Sequence, residues 1–135
     1  MTGLHLVDKS ALVRRFDSEE TDALFTTLSF NAELATCEIV TMEMLFSARN
    51  LLDYEQLQAE LGTFVWLATS NSAMQRALDV QHELARRGQH RLSIPDLMIA
   101  ATAEEHGAVM LHYDKDYELI GNVTGQPMRW VTQRG

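Results

Sequence analysis

Five short, mostly apolar runs are spaced along the chain: residues 4–7 (LHLV), 35–40 (ATCEIV), 64–68 (FVWLA), 108–112 (AVMLH) and 128–132 (MRWVT). Each has the length of a strand. Between them apolar positions recur every three or four residues. Met74, Ala77, Leu78, Gln81, Leu84 and Ala85 mark one face of a helix over 71–87, which Gly88 stops. Ser18 ahead of Glu19, Glu20 and Thr21 reads as an N-cap with an acidic first turn, and Thr41 as the cap of a helix through MEMLFSARN. Ser93 caps a third helix, IPDLMIAATAEEH, with Pro95 in its first turn, where a missing N–H costs nothing, and Gly107 ends it.

Strands alternating with helices predict an α/β fold: right-handed crossovers and a mainly parallel sheet covered on both faces. In such sheets ligands bind beyond the carboxyl ends of the strands. Asp8 closes the first run, Glu43 follows the second by three residues, and Asp114 follows the fourth by two, with Asp116 just beyond. Asp96 follows no strand. It lies in the first turn of the helix that feeds the fourth strand, and because that helix runs antiparallel to the strand, its N-terminus reaches the same edge. The small residues Ala100, Ala101 and Ala103 let the helix approach the sheet closely.

Carboxylates gathered at one edge repel one another and raise their own pKa values unless a cation compensates them. With no His or Cys among the donors, the set of Asp8, Glu43, Asp96 and Asp114 favours one or two hard divalent ions, Mg²⁺ or Mn²⁺. Such a site neutralises phosphate oxygens and acidifies water, which points to phosphodiester hydrolysis. Taken singly each acid has a plainer role, Asp96 and Glu43 as first-turn helix acids and Asp8, Asp114 and Asp116 as turn residues. Their coincidence at one edge carries the functional reading.

Composition narrows the setting. A chain of 135 residues with 46% hydrophobic content is expected to form one domain over residues 1–135. One cysteine, Cys37, rules out an internal disulfide framework and fits a reducing compartment. No signal peptide or membrane span is expected, so the protein is expected in the cytoplasm. A net charge of −8 argues against broad electrostatic adhesion to nucleic acid, although not against an enzyme that holds it through bound cations and a few local basic residues. Lys9, Arg14, Arg15 and Lys115 adjoin the acids and Arg86, Arg87 and Arg91 bracket the loop before Asp96, a candidate basic rim. His5, His82, His90, His106 and His112 show no ligand spacing, and Met42, Met44, Met74, Met98 and Met110 read as core filler.

The motifs LVDKSAL (6–12), TMEMLFSAR (41–49), SIPDLMIAATAEEHGA (93–108) and LHYDKDYELI (111–120) together resemble a PIN-domain ribonuclease of the VapC toxin type, over nearly the whole chain. The resemblance implies a three-layer α/β/α domain with strand order 3-2-1-4-5. It implies that Asp8, Glu43, Asp96 and Asp114 hold Mg²⁺ or Mn²⁺, that Asp116 matches a frequent second acid of the last motif, and that Ser10 lines the site. It further implies a homodimer that cleaves RNA endonucleolytically and is inhibited by a VapB-like antitoxin; the helices after the second and third strands offer apolar faces for such contacts. Lys9 stands where the family more often has a small residue, His112 and Tyr113 replace its commoner Thr and basic residue, and Tyr117 replaces its usual Phe, with the ring expected beneath the acidic loop.

Two other Mg²⁺-binding α/β classes fit less well. A receiver domain needs paired acids after the first strand, an Asp after the third and a Lys after the fifth, whereas Asp8 precedes Lys9, the third run is followed by TSNS, and no lysine follows Lys115. A haloacid-dehalogenase-type phosphatase needs Asp-x-Asp, and the chain has Asp8-Lys9-Ser10. A binding-only protein of the PIN fold is the remaining alternative.

Overall fold

The computed structural model describes residues 3–133. Five strands, β1 (His5–Val7), β2 (Leu34–Thr36), β3 (Val65–Trp66), β4 (Val109–His112) and β5 (Met128–Trp130), form one sheet in the order β3-β2-β1-β4-β5. Every pairing is parallel, with Leu6 opposite both Ala35 and Met110, and Val7 opposite Leu111. Side chains alternate across a strand, and the two faces accordingly feed two cores. Leu6, Ala35 and Met110 pack with α5 (Asn71–Arg86), α6 (Ile94–Glu105) and α7 (Asp116–Thr124), whereas Val7, Leu34 and Leu111 pack with α1 (Lys9–Leu12) and α2 (Glu19–Phe30). The remaining helices, α3 (Glu38–Phe46) and α4 (Leu51–Leu61), pack on each other beyond β2. This is the expected three-layer α/β/α arrangement. No helix among the described residues is long and apolar enough to cross a membrane.

Several helix limits follow the expected chemistry. Ser18 caps α2 by accepting from the Thr21 N–H, Ser93 caps α6 by accepting from the Asp96 N–H, and Pro95 occupies the first turn of α6. Helix α6 is capped at His106 and followed by Gly107 at φ +65°.

Three expectations are corrected. The second strand ends at Thr36, and α3 begins at Glu38 with Cys37 as its cap, so Thr41 lies inside the helix rather than capping it. Tertiary contacts override the β preference of Ile39 and Val40 here: the Glu38 carboxylate accepts from the Thr69 N–H at 2.9 Å, and Val40 is buried in the core. Glu43 is therefore seven residues past its strand, on the second turn of α3. On α5 the buried stripe is Ala73, Ala77, Val80 and Leu84, leaving Met74 and Leu78 exposed. Two alanines on this stripe let α5 lie close against α6, its principal packing partner, so the larger side chains are turned outward. Met42 is likewise 62% exposed rather than core, whereas Met110 is fully buried and Met44 and Met98 pack at the edge of the core.

Candidate active site

Asp8 follows β1 directly and caps α1, its Oδ2 accepting from the Ser10 N–H at 3.0 Å and from the Ser10 hydroxyl. The Ser10 Oγ in turn accepts from the Tyr113 N–H at 2.9 Å, joining the first strand's end to the fourth's. Asp8 is 5% exposed, which a carboxylate tolerates because these donors satisfy it. Past β4 the loop folds on itself: the Asp114 N–H donates to His112 Nδ1 at 3.2 Å, and Asp114 Oδ1 accepts from the Asp116 N–H at 2.9 Å. Helix α6 delivers Asp96 to the same place. Carboxylate oxygens of Asp96, Asp114 and Asp116 lie within 4.8 Å of one another.

Asp8 and Glu43 stand outside that trio but within its field. The Asp96 carboxyl is pushed up to about 7, first by burial and then by the charges of Asp8 and Asp114, while a hydrogen bond from Tyr117 opposes the shift. Burial, and then Asp8, also raise the Glu43 carboxyl against the opposing pull of Lys9. Burial and Asp114 raise Asp116 in the same way. Lys9 lies over α3 with its Nζ 3.5 Å from the Glu43 carbonyl oxygen, and Lys115 is exposed beside Asp116.

Tyr117 and His112 complete the floor. Tyr117, fully buried beneath the acidic loop as its motif implies, points its hydroxyl at Asp8 Oδ1 (2.9 Å) and Asp96 Oδ1 (3.3 Å). His112 is buried between Tyr117 and Trp130, with ring centroids 5.0 and 4.8 Å away, and burial lowers its pKa. Of the basic rim, Arg14 lies over the Tyr113 ring at 3.7 Å, whereas Arg86 and Arg87 pair with Glu83 on their own helix.

The PIN domain family model matches residues 5–123. The chain belongs to the PIN-domain family. Curated relatives place this PIN domain with the VapC type: it is similar to Ribonuclease VapC51 of Mycobacterium tuberculosis, 38% identical over 131 residues covering 97% of this chain and 95% of the relative. Ribonuclease VapC21 of the same organism is 38% identical over 141 residues, covering 100% and 99%. The fold is shared with the DNA-bound VapBC of Salmonella typhimurium (TM-score 0.77, 19% identity, 98% of this chain and 100% of that one). VapBC-1 of nontypeable Haemophilus influenzae gives a TM-score of 0.78 at 18% identity, covering 96% and 99%.

The residues of this PIN domain fit a hard divalent cation. Their donors are all carboxylate oxygens, the trio's mutual repulsion calls for a positive charge, and Glu43 Oε1 is buried with no hydrogen-bond partner among the described residues. The sequence places the Tyr117 ring beneath the acidic loop but assigns its hydroxyl no role. The one available signal was its register in the last motif, three residues after Asp114, which cannot show where an oxygen points.

Proposed function

We propose that this PIN domain, acting as one unit over residues 1–135, is an endoribonuclease dependent on Mg²⁺ or Mn²⁺ and the toxin of a VapBC-type pair, inhibiting translation or growth in the cytoplasm. The observation that carries the reading is the meeting of Asp96, Asp114 and Asp116 within 4.8 Å, backed by Asp8 and by a buried Glu43 oxygen without a donor among the described residues. Ribonuclease names among relatives at 38% identity support it. One or two divalent ions, when bound, supply the positive charge that the scissile phosphate and departing oxygen need and lower the pKa of the attacking water.

The chain's own residues bind and orient. Asp96, Asp114 and Asp116 present the cation ligands, Asp8 closes the set from the end of β1, and Glu43 offers its free oxygen from α3. Lys9 and Lys115 flank the acids and are suited to steady phosphates of the RNA. Products carry 5′-phosphate and 3′-hydroxyl ends. VapBC complexes among the structural neighbours support a VapB-like antitoxin as partner. Homodimerisation and antitoxin docking draw on the apolar residues left exposed on α3, α4 and α5, among them Phe46, Leu51 and Leu78.

The test is incubation of the purified chain with total cellular RNA in Mg²⁺, Mn²⁺ or EDTA, beside Asp96→Asn, with sequencing of the new 5′ ends. Discrete cuts that require both the metal and Asp96 are expected. Undiminished cleavage by folded Asp96→Asn would refute the assignment, and no cleavage by a metal-loaded native chain favours a protein that only binds.

A further inference from the structure

The uncharged Tyr117 side chain is hydrogen-bonded to two of the acids. Its ring is fully buried beside His112, so the hydroxyl is held in place rather than free to swing to solvent. A phenol has one proton to give, and here two acceptors face it: Asp8 Oδ1 at 2.9 Å and Asp96 Oδ1 at 3.3 Å. These carboxylates come from the end of β1 and the first turn of α6, while the phenol comes from α7. The opposite oxygen of Asp8 is anchored independently by Ser10, which is itself anchored by the Tyr113 N–H. Both oxygens of Asp8 therefore have donors, whereas the phenol engages one oxygen of Asp96 and leaves the second for a ligand.

We infer that the Tyr117 hydroxyl is a positioning group of the cation site, tying Asp8 and Asp96 into the orientation in which a divalent ion is received. The inference rests on the metal-dependent reading above. Two carboxylates brought together by separate elements repel, and without the phenol Asp96 relieves that repulsion by rotating away from Asp8, which Ser10 holds in place. The phenol offsets the repulsion before the ion arrives and holds the rotamers, so less side-chain ordering accompanies binding. Phenylalanine at this position retains the buried ring and its packing but lacks the donor. Groups that orient metal ligands from behind typically account for roughly 10–100-fold in affinity or activity.

The experiment is a Mn²⁺ titration of the RNA-free native chain, Tyr117→Phe and Asp96→Asn, reading free Mn²⁺ by electron paramagnetic resonance. Tyr117→Phe is expected to bind Mn²⁺ about tenfold more weakly or worse. In RNA cleavage the Mn²⁺ concentration for half-maximal rate should rise in step while the rate at saturating Mn²⁺ is largely retained, a split that loss of packing does not produce. Equal Mn²⁺ affinity in the native chain and Tyr117→Phe overturns the inference and leaves the nuclease reading standing. Absence of Mn²⁺ binding by the native chain overturns both. If Tyr117→Phe does not fold, the decision is read from the native chain by proton magnetic resonance: a slowly exchanging Tyr117 hydroxyl resonance that moves on addition of Mg²⁺ supports the role, and one that does not move overturns it.

Discussion

Asp96 concentrates the chemistry at the residue scale. Its carboxyl is raised from an ordinary 3.8 to about 7, chiefly by burial and then by Asp8 and Asp114. A folded-state pKa above the unfolded one means that, between about pH 4 and 7, the unfolded chain has already released a proton that the folded chain retains. This group's contribution to stability is therefore present at low pH and lost as pH rises through that window. His5 and His112, both lowered by burial, give a slope of opposite sign just below pH 6.5. Comparison with a variant isolates Asp96: in EDTA, Asp96→Asn should be more stable than the native chain at pH 7, with the advantage shrinking towards pH 4. Chemical denaturation across that range checks it, and a native chain that gains stability relative to Asp96→Asn with rising pH would sink the assignment.

At the scale of elements, the site depends on where helices begin. Helix α6 begins with the Ser93 cap, which sets the height at which Asp96 meets the loop after β4. Removing that cap with Ser93→Ala should cost about 1 kcal/mol of stability and weaken metal binding, since it loosens the turn that carries Asp96. At the other end, Gly107 at φ +65° has open space where a Cβ would stand, so Gly107→Ala costs about 1 kcal/mol through backbone strain alone and leaves metal affinity unchanged. Thermal melts paired with Mn²⁺ titration separate the two cases. On α3, the Glu38 carboxylate that accepts from Thr69 ties the helix start to the segment between β3 and α5. Glu38→Ala should cost roughly 1–3 kcal/mol by leaving that N–H without its partner.

For the whole molecule, a net charge of −8 means that, if the chain is the metal-dependent ribonuclease proposed, the cation takes part in RNA recognition as well as in chemistry. Proteins with basic grooves hold RNA without metal and lose it as salt rises. This one should bind RNA weakly in EDTA and more tightly as Mg²⁺ is added. Measured with Asp114→Ala as the metal-deficient comparison, strong RNA binding in EDTA would count against a metal-centred interface. Mg²⁺ should also stabilise the native fold, by about 2.7 kcal/mol at a hundredfold excess over its dissociation constant, visible as a melting temperature that climbs with Mg²⁺.

Much of this protein was legible in one dimension, because its signals are local. Apolar runs of strand length marked all five strands, Ser18 and Ser93 announced two helix starts, and alternation of strand and helix required a parallel sheet whose carboxyl edge collects Asp8, Asp96 and Asp114. What failed was local preference opposed by long-range contact. Ile39 and Val40 read as strand but are helical, because Val40 fills the core and Glu38 is held by Thr69 from the segment between β3 and α5. Met74 and Leu78 read as core but are exposed, because close α5–α6 packing selects the alanine stripe instead. The grouping of the acids was also beyond periodicity, which places residues on an edge but not oxygens in space. Only the folded chain sets Asp116 beside Asp96 and Asp114, leaves a Glu43 oxygen without a donor among the described residues, and turns the Tyr117 hydroxyl toward two carboxylates, since those positions depend on side-chain directions from α3, α6, α7 and the ends of β1 and β4 at once.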